Sequence, residues 1–480
     1  MAIPWSGRGG RLLVSVDRRS PRPVREQVES GLREAVRSGR LSAGEHLPSS
    51  RALAEELGVS RGLVQGCYEQ LVAEGYLTAR AGSATRVAER VVPPNPAPAP
   101  RDEPAPAPFV DLRPAVPDLG SFPRSSWSRS AQEALAAAAN SALGYPPSNG
   151  SPTVRAAVAE HLRRARAADA DPSRVVMCTG YAQGLVLTVR SLVARGLRDI
   201  AVEDPGHGPD ESPDVRTLRL AGARVHRVPV DHLGLDVEAL AESPARAVVV
   251  TPAHQAPTGV ALDPGRRRAL IAWARTRDAY VVEDDYDSEF RYDRQAIGTV
   301  QGLAPDRVFL LGTTSKTLAP ALRIGWLLAP PTWAEVLARH KHLEDRGSPT
   351  LHHDTFAVML TSGRYDRHLR AMRKTYRRRR DAVCDALAAH APQVRVSGLA
   401  AGLSITLHLP PGVDEAAVVA GAAERGVVLR GMDAYRAHPA PDQPQLVLGF
   451  GNTDERRLRE AIASLADLLQ GRSPHRPPSR

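Results

Sequence analysis

A proline-rich segment divides this chain into two parts. Eight of the nineteen residues from Arg90 to Pro108 are proline. Proline fixes its own φ and lacks a backbone N–H, so such a run interrupts helices and sheet ladders and favours an extended, stiff connection. We therefore expect an N-terminal unit over residues 1–89, a linker over residues 90–110 and a C-terminal unit over residues 111–475. A long surface loop inside a single domain is the alternative interpretation.

Length and composition bound the class of protein. The chain has 480 residues, of which 42% are hydrophobic, so it can bury a large core. It contains no apolar run near the roughly 20 residues that span a bilayer, and its N-terminus has no hydrophobic signal core. Cys67, Cys178 and Cys384 lie far apart, which favours a reducing compartment without a cysteine metal site. We expect a cytoplasmic protein, and the net charge of +10 favours a polyanionic partner.

The N-terminal unit has the pattern of three helices followed by a hairpin. Apolar residues recur every four positions at Val24, Val28, Leu32 and Val36, which predicts a helix over residues 23–38. Two further helices are predicted over residues 51–57 and 61–74, with Ser49 or Ser50 and Ser60 as their caps. Strands over residues 76–80 and 85–88 would form a wing. The unit is therefore predicted to be a winged helix-turn-helix with its core over residues 23–88.

A helix-turn-helix places the start of its recognition helix in the major groove while neighbouring groups hold phosphates. We therefore expect this unit to bind double-stranded operator DNA. A winged helix used only for protein contacts is the alternative. The candidate contact residues are Arg51, Ser60, Arg61, Gln65 and the wing residue Gly82.

The C-terminal unit alternates strands and helices, which predicts an α/β fold with a large, mostly parallel sheet covered by helices on both faces. A smaller α+β lobe is expected from about residue 395. The predicted strands of the large sheet are residues 175–178, 200–202, 247–251, 280–283 and 308–311.

Lysine is scarce in this chain. It occurs only at Lys316, Lys341 and Lys374, and Lys316 stands among small and hydroxyl residues directly after a predicted strand. An amine can form a Schiff base, whereas a guanidinium cannot serve that role. Lys316 is therefore the candidate anchor for a covalently bound cofactor, and a solvated surface lysine is the alternative.

The residues around Lys316 fit pyridoxal 5'-phosphate. This cofactor needs a lysine for its aldehyde, an acid at its ring nitrogen, a donor to its ring oxygen and a phosphate cradle. Asp284 and Tyr286, at the end of another predicted strand, offer the acid and the donor. Taken singly, Asp284 could cap a helix and Arg323 could pair with a carboxylate. The candidates for the phosphate and the ring face are Thr313, Ser315, Arg323, the strand-to-helix turn Tyr181, Ala182 and Gln183, and the ring-stacking His207.

The motifs of both units resemble a known family. Residues 47–61 and 68–77 resemble the GntR-type winged helix-turn-helix, in which the positions of the candidate contact residues commonly touch DNA. Together with residues 251–259, 283–292 and 312–318, the chain resembles the MocR subgroup, a winged helix fused to a fold-type-I aminotransferase-like domain. The resemblance implies a head-to-tail, domain-swapped homodimer in which Tyr145 reaches the partner's cofactor phosphate.

Three positions depart from the family pattern. The ring-stacking position, usually tyrosine, is His207, and the usually aromatic position before Pro257 is Ala256. Aminotransferases place a carboxylate-binding arginine where this chain has Val447, and an apolar side chain cannot pair a carboxylate. Arg430 and Arg436 are the alternative candidates for that pairing.

These features lead to two functional hypotheses. The first is a transcription regulator that senses pyridoxal phosphate, or a small-molecule amine that forms an external aldimine with it, with vitamin B6 metabolism as a candidate regulon. In that case aminotransferase turnover is vestigial or absent. The second is an active aminotransferase with an accessory DNA-binding domain.

Overall fold

The chain divides into two compact units, Met1–Pro106 and Ala107–Arg480, with the boundary inside the predicted linker. The structure is a computed structural model that describes residues 14–79, 84–89, 110–292 and 297–471. Within these ranges no helix is both long and apolar enough to cross a bilayer.

The N-terminal unit is a winged helix-turn-helix, as predicted. The buried Val28, Leu32 and Val36 lie on the inner face of the first helix, which is the face that the four-residue spacing indicated. The strands pair antiparallel with Leu77 opposite Val87, and both are shorter than the predicted wing strands. The elements of this unit are α1 (Val24–Arg37), α2 (Ser50–Leu57), α3 (Arg61–Ala73), β1 (Leu77–Thr78) and β2 (Arg86–Val87).

Serine side chains start the two helices of the helix-turn-helix. Ser49 Oγ accepts a hydrogen bond from Ala52 N at 3.1 Å, and Ser60 Oγ accepts one from Leu63 N at 3.2 Å. Each bond satisfies a backbone N–H that has no partner within its own helix. The start of α3 is therefore fixed by Ser60 itself.

The C-terminal unit holds the remaining elements. Its helices are α4 (Arg124–Ala137), α5 (Pro152–Arg166), α6 (Tyr181–Ala194), α7 (Pro213–Leu220), α8 (Val237–Glu242), α9 (Pro264–Thr276), α10 (Ala334–Asp345), α11 (Thr350–Thr361), α12 (Arg364–His390), α13 (Glu415–Glu424) and α14 (Glu455–Leu469). Its strands are β3 (Val110–Asp111), β4 (Val175–Cys178), β5 (Asp199–Asp204), β6 (Arg224–Asp231), β7 (Gly234–Leu235), β8 (Ala247–Val250), β9 (Tyr280–Asp285), β10 (Val308–Thr313), β11 (Gly325–Leu328), β12 (Arg395–Ser397), β13 (Ser404–His408), β14 (Val427–Val428), β15 (Arg430–Gly431) and β16 (Gln445–Gly449).

The large sheet has the order β4-β11-β10-β9-β8-β5-β6-β7. Its centre, from β10 to β6, is parallel, and β11 joins β10 and β4 by antiparallel pairing. Separate apolar clusters cover the two faces. The predicted mostly parallel α/β sheet is thus confirmed, although the sequence pattern missed β6, β7 and β11.

The small lobe is built on a second sheet of order β12-β13-β16-β15. The chain enters the unit through β3, which pairs parallel with β14 of this lobe, Val110 opposite Val427. The segment after linker residue 109 therefore belongs structurally to the small lobe.

A buried ion pair fixes the end of β9. Arg166, at the end of α5, donates from Nε to Asp285 Oδ2 at 2.7 Å and from Nη2 to Oδ1 at 2.8 Å. The Arg166 side chain is only 1% exposed. Such a two-point contact holds both position and orientation, so it also locates the neighbouring Asp284.

Candidate functional site

Two parallel strands bring Asp284 and Lys316 to one edge of the large sheet. On β9, Asp284 lies opposite Leu311 of β10, and Lys316 follows the end of β10 after a short turn. Carboxyl ends of adjacent parallel strands meet at the same edge, where such folds bind ligands. The arrangement expected from the sequence is therefore present.

One carboxyl oxygen of the half-buried Asp284 is left unsatisfied by the described residues. Its Oδ1 atom is buried and has no hydrogen-bond partner among the described residues. Burial, reinforced by the charges of Asp285 and Asp287, raises the pKa of Asp284 well above its ordinary range. A buried carboxyl oxygen without a partner costs stability, and a protonated ring nitrogen would supply a donor to it. The site thus fits a pyridine ring at this position.

Lys316 is half-buried near that acid. Its Nζ donates to the carbonyl oxygen of Ala115 at 2.8 Å. Burial lowers the pKa of Lys316, an effect that the charges of Asp284 and Asp287 partly offset. A lowered pKa increases the fraction of free amine, which is the form that attacks an aldehyde.

Tyr286 presents a protonated phenol. Burial, then the charges of Asp287 and Asp284, raise its pKa well above the ordinary value. Its Oη lies 3.2 Å from Nδ1 of His254, a residue to which the sequence analysis gave no role. A neutral phenol is a hydrogen-bond donor, as a contact to a ring oxygen requires.

The start of α6 forms a cradle with Arg323. Gly180 has φ 108°, and a Cβ there would lie 3.2 Å from Nη2 of Arg323, so glycine lets the guanidinium approach the helix start. Arg323 is exposed, and no described residue pairs with its guanidinium. A helix N-terminus beside an unpaired arginine suits a phosphate.

Not every candidate of the cradle has a free side chain. Gln183 Oε1 accepts from Thr179 N at 2.8 Å and its Nε2 donates to Asp345 at 2.8 Å, so only its backbone N–H is available. Thr313 Oγ1 donates to Ser315 Oγ at 2.9 Å. The hydroxyl of Tyr181 is buried without a hydrogen-bond partner among the described residues. Ala182 lies in the first turn of α6.

His207 lies on the loop after β5. Its Nδ1 is 3.7 Å from Asp214 Oδ2, and Ser212 Oγ donates to its carbonyl at 2.6 Å. The small lobe also holds this loop, because Gly206 N donates to Tyr435 O at 2.7 Å. The loop carrying the predicted ring-stacking residue is thus braced from both lobes of the unit.

An apolar residue, Val447, occupies the position at which aminotransferases place a carboxylate-binding arginine. Val447 is fully buried on β16, opposite Thr406 and Arg430. Of the two alternative candidates, Arg436 donates to Asp433 and Gln445 at 2.9 Å each, and Arg430 is exposed. Arg436 is therefore already paired inside the small lobe.

The candidate DNA contacts of the N-terminal unit lie at the surface. Arg51, Ser60, Arg61 and Gln65 are exposed, and Gln65 Nε2 donates to Glu69 at 3.1 Å. Gly82 lies outside the described residues. Exposed polar groups at the start of α3 are what groove binding requires.

Sequence reasoning missed three groups at the cofactor edge: His254, Asp287 and the Ala115 carbonyl. The first two stand inside the motifs at residues 251–259 and 283–292, so their position in those motifs was an available signal. Ala115 makes its contact through the backbone carbonyl, and no sequence pattern marks a residue that contributes only its backbone.

Comparison with known proteins agrees with this architecture. Residues 24–87 match the bacterial regulatory proteins of the gntR family, and residues 116–465 match aminotransferase class I and II. The HTH-type pyridoxine biosynthesis transcriptional regulator PdxR of Corynebacterium glutamicum is 34% identical, over 95% of this chain and 98% of that regulator. The probable rhizopine catabolism regulatory protein MocR of Rhizobium meliloti is 31% identical, over 94% of this chain and 95% of its own.

The chain belongs to the MocR subgroup of GntR-family regulators. The C-terminal unit of this MocR-type regulator has the fold of pyridoxal-phosphate-dependent aminotransferases. Kynurenine aminotransferase of Pyrococcus horikoshii, solved in complex with PMP, superposes with a TM-score of 0.68 at 26% identity, over 76% of this chain and 91% of that enzyme.

Proposed function

We propose that this chain is a DNA-binding transcription regulator that responds to pyridoxal phosphate. The observation that carries the proposal is the buried Oδ1 atom of Asp284, which has no hydrogen-bond partner in the described part of the chain and lies near Lys316. The same chain also contains a helix-turn-helix of the gntR family. Burial of this acid is unfavourable without a ligand, so ligand binding would stabilise the site. A chain that combines such a site with a DNA-binding element is suited to act as a ligand-controlled switch.

The cofactor half of the proposal assigns a role to each part of the site. Lys316 provides the covalent anchor, Asp284 holds a proton at the ring nitrogen, and Tyr286 donates to the ring oxygen. The phosphate lies against Thr313, Ser315, Arg323 and the first turn of α6, where Tyr181, Ala182 and Gln183 offer backbone N–H groups. His207 stacks on the ring. When bound, pyridoxal phosphate supplies an aldehyde and an electron-withdrawing ring.

The DNA half assigns the start of α3 to the major groove. Ser60 and Arg61 reach phosphates or base edges, Gln65 reads a base, and Arg51 holds the backbone beside it. Gly82 lets the wing approach the minor groove. Loss of Arg51 should weaken binding to all sequences, whereas loss of Gln65 should change sequence preference.

We propose a head-to-tail homodimer in which Tyr145 completes the partner's phosphate site. Supporting this, Tyr145 is 97% exposed, and Leu143 and Leu135, which precede it in the sequence, are 61% and 58% exposed. Large exposed apolar side chains occur at association surfaces. Tyr145→Phe should leave the dimer mass unchanged in light scattering and weaken cofactor binding, whereas a monomeric wild-type protein would contradict the proposal.

The decisive experiment measures binding to double-stranded DNA from upstream of the chain's own gene, with and without pyridoxal phosphate. We expect the cofactor to change affinity or footprint for the wild type, and Lys316→Ala to remove that response. Equal affinity and footprint in both states would overturn the proposal. Because the relative from C. glutamicum is named for pyridoxine biosynthesis, genes of vitamin B6 synthesis or salvage are the proposed targets.

An active aminotransferase is the second candidate. The presence of Lys316, Asp284 and Tyr286 at one sheet edge supports it, and the buried Val447 and the paired Arg436 oppose it. Steady multiple-turnover production of a keto acid from an amino donor would favour the enzyme. A single turnover at most would favour the regulator.

A further inference from the structure

A buried histidine–aspartate pair lies behind Tyr286. His254 is 4% exposed and Asp287 is 2% exposed. Nδ1 of His254 lies 3.0 Å from Oδ2 and 3.2 Å from Oδ1 of Asp287, and 3.2 Å from the hydroxyl oxygen of Tyr286. One ring nitrogen thus faces the acid and the phenol together.

The number of available protons fixes how this cluster is connected. Nδ1 carries either one proton or one lone pair, and a buried carboxylate needs a donor. The proton of Nδ1 therefore goes to Asp287. Nδ1 then has no lone pair with which to accept from Tyr286, so the phenol proton is shared between Asp287, which hydrogen-bonds Tyr286, and any acceptor in the site.

The backbone holds the imidazole in place. His254 follows β8, and a Cβ at Gly402 of the small lobe would collide with both the ring and the Asp287 carboxylate. Gly402 has φ 68° and its N–H donates to Phe290 O at 2.8 Å. Glycine at this position therefore lets the small-lobe loop close directly over the pair.

We propose that His254 and Asp287 are positioning residues, a pair that keeps the hydroxyl proton of Tyr286 directed at the ring oxygen of bound pyridoxal phosphate. This inference rests on the proposed cofactor role of the site. Asp287 also hydrogen-bonds the phenol of Tyr286, so a proton donated by His254 competes with the phenol for that carboxylate and weakens its hold on the phenol proton. Ala256, on the same loop as His254, has no side-chain donor, so it cannot take over the contact from Tyr286.

Other ionisable groups face the same space. Asp284 and Glu203 act on Tyr286 through their charges, and Asp284 and Asp287 act on Lys316. Burial raises the pKa of Glu203 to about 7, although Thr251 hydrogen-bonds its carboxylate. Each of these groups is unchanged in the variants below, so differences between the variants report on His254 and Tyr286.

Removing His254 should have the same effect as removing the phenol proton. Asp287 would lose its donor from His254 and hold the phenol proton of Tyr286 more fully, leaving the ring oxygen more negative. A more negative ring oxygen holds the neighbouring proton on the Lys316 nitrogen more tightly. The pH at which the visible absorbance of the loaded protein changes should therefore rise by roughly one unit.

The test records visible absorbance against pH for the full-length protein loaded with pyridoxal phosphate. The variants are His254→Phe, which keeps the ring volume without a donor, Tyr286→Phe, and the double variant. We expect similar upward shifts for both single variants and no additional shift in the double variant, because both act through one proton. His254→Gln, whose amide can donate to Asp287, should return the midpoint towards that of the wild type.

A matched control is His161→Phe. His161 is equally buried and contacts Glu289 at 2.9 Å, away from Tyr286, so its loss should leave the midpoint unchanged. If His254→Phe does not fold, His254→Ala replaces it.

An unchanged midpoint in a folded His254 variant, beside a shift in Tyr286→Phe, would overturn the inference. A His254 shift that persists fully in the Tyr286→Phe background would also overturn it, because His254 would then act independently of the phenol. Absence of any visible band in the wild type would overturn the proposed cofactor role itself, and this inference with it.

Discussion

Nζ of Lys316 donates a hydrogen bond to the carbonyl oxygen of Ala115 at 2.8 Å, although 201 residues of sequence separate them. Ala115 has φ 62°, in the left-handed region that L-residues rarely adopt. The segment that follows the linker is thus held in a strained conformation directly at the candidate cofactor lysine.

Ala115→Gly should relieve this strain. The left-handed conformation costs a non-glycine residue about 1–2 kcal/mol, and the extra freedom of glycine in the unfolded chain returns part of that gain. We expect the stability of the C-terminal unit to rise by up to about 1 kcal/mol, as measured by urea unfolding. Ala167, at φ 52°, is a matched control that should respond similarly without touching Lys316. A net loss of stability for Ala115→Gly alone would refute the strain argument.

Asp284→Asn should change the pH dependence of stability. Burial raises the folded-state pKa of Asp284, so ionisation costs more in the folded than in the unfolded protein. Without cofactor, the wild type therefore loses stability as pH rises above the ordinary aspartate value of about 4. Asp284→Asn should lose less over that range and should bind pyridoxal phosphate more weakly. Denaturant unfolding at several pH values and a cofactor titration measure the two effects.

Asp467→Asn is a control whose expected effect on stability at neutral pH is opposite to that of Asp284→Asn. A hydrogen bond from Arg425 lowers the pKa of Asp467 to about 2. Its contribution is present above the ordinary aspartate pKa and is lost as pH falls through that lowered value. Asp467→Asn should therefore lower stability at neutral pH, and a gain in both variants would contradict the assignment.

Two substitutions of Ser60 should distinguish its role as a helix cap from its proposed contact with DNA. Ser60→Ala removes the acceptor for Leu63 N and should cost the N-terminal unit about 1 kcal/mol. Ser60→Asp keeps a good cap but places a negative charge at the recognition helix, where it would face phosphates. We expect Ser60→Asp to retain stability and lose DNA affinity by more than about tenfold. Thermal unfolding and DNA titration at one fixed salt concentration test this pair, and undiminished affinity in Ser60→Asp would remove Ser60 from the interface.

The Arg166–Asp285 pair should be strongly coupled. Each single change, Arg166→Met or Asp285→Asn, leaves one partner buried without its counterpart and should cost about 3–5 kcal/mol. The double variant should be much less destabilised than the sum of the two single variants. A double-mutant cycle by denaturant unfolding measures this coupling, and additive losses would show that the pair contributes nothing as a pair.

The main organisation of the molecule could be predicted from its sequence because the relevant signals are local. The spacing of Val28, Leu32 and Val36 marks one helix face, and the run Val308–Leu311 marks a fully buried strand. Lys316 and Asp284 follow such strands, and parallel pairing brings strand ends together. Helix bounds differ from those predicted by about a residue at each end, as at Val24–Arg37, where residues 23–38 were predicted.

The features that the sequence did not predict depend on distant contacts. Antiparallel insertion of β11 between β10 and β4 is decided by tertiary pairing, since a short apolar run does not specify its neighbours. The Arg166–Asp285 pair spans 119 residues, and among so many arginines no pattern marks Arg166 as a buried one. His254 could be identified as a positioning residue only after its distances to Asp287 and Tyr286 were known.

The attachment of residues 110–112 has a mechanical consequence. Leu112 N donates to Val428 O at 2.7 Å and Leu112 O accepts from Gly449 N at 2.7 Å, so both contacts are to the small lobe. The first described segment of the C-terminal unit is therefore anchored to the small lobe and not to the large sheet. Any displacement of that lobe would carry this segment with it.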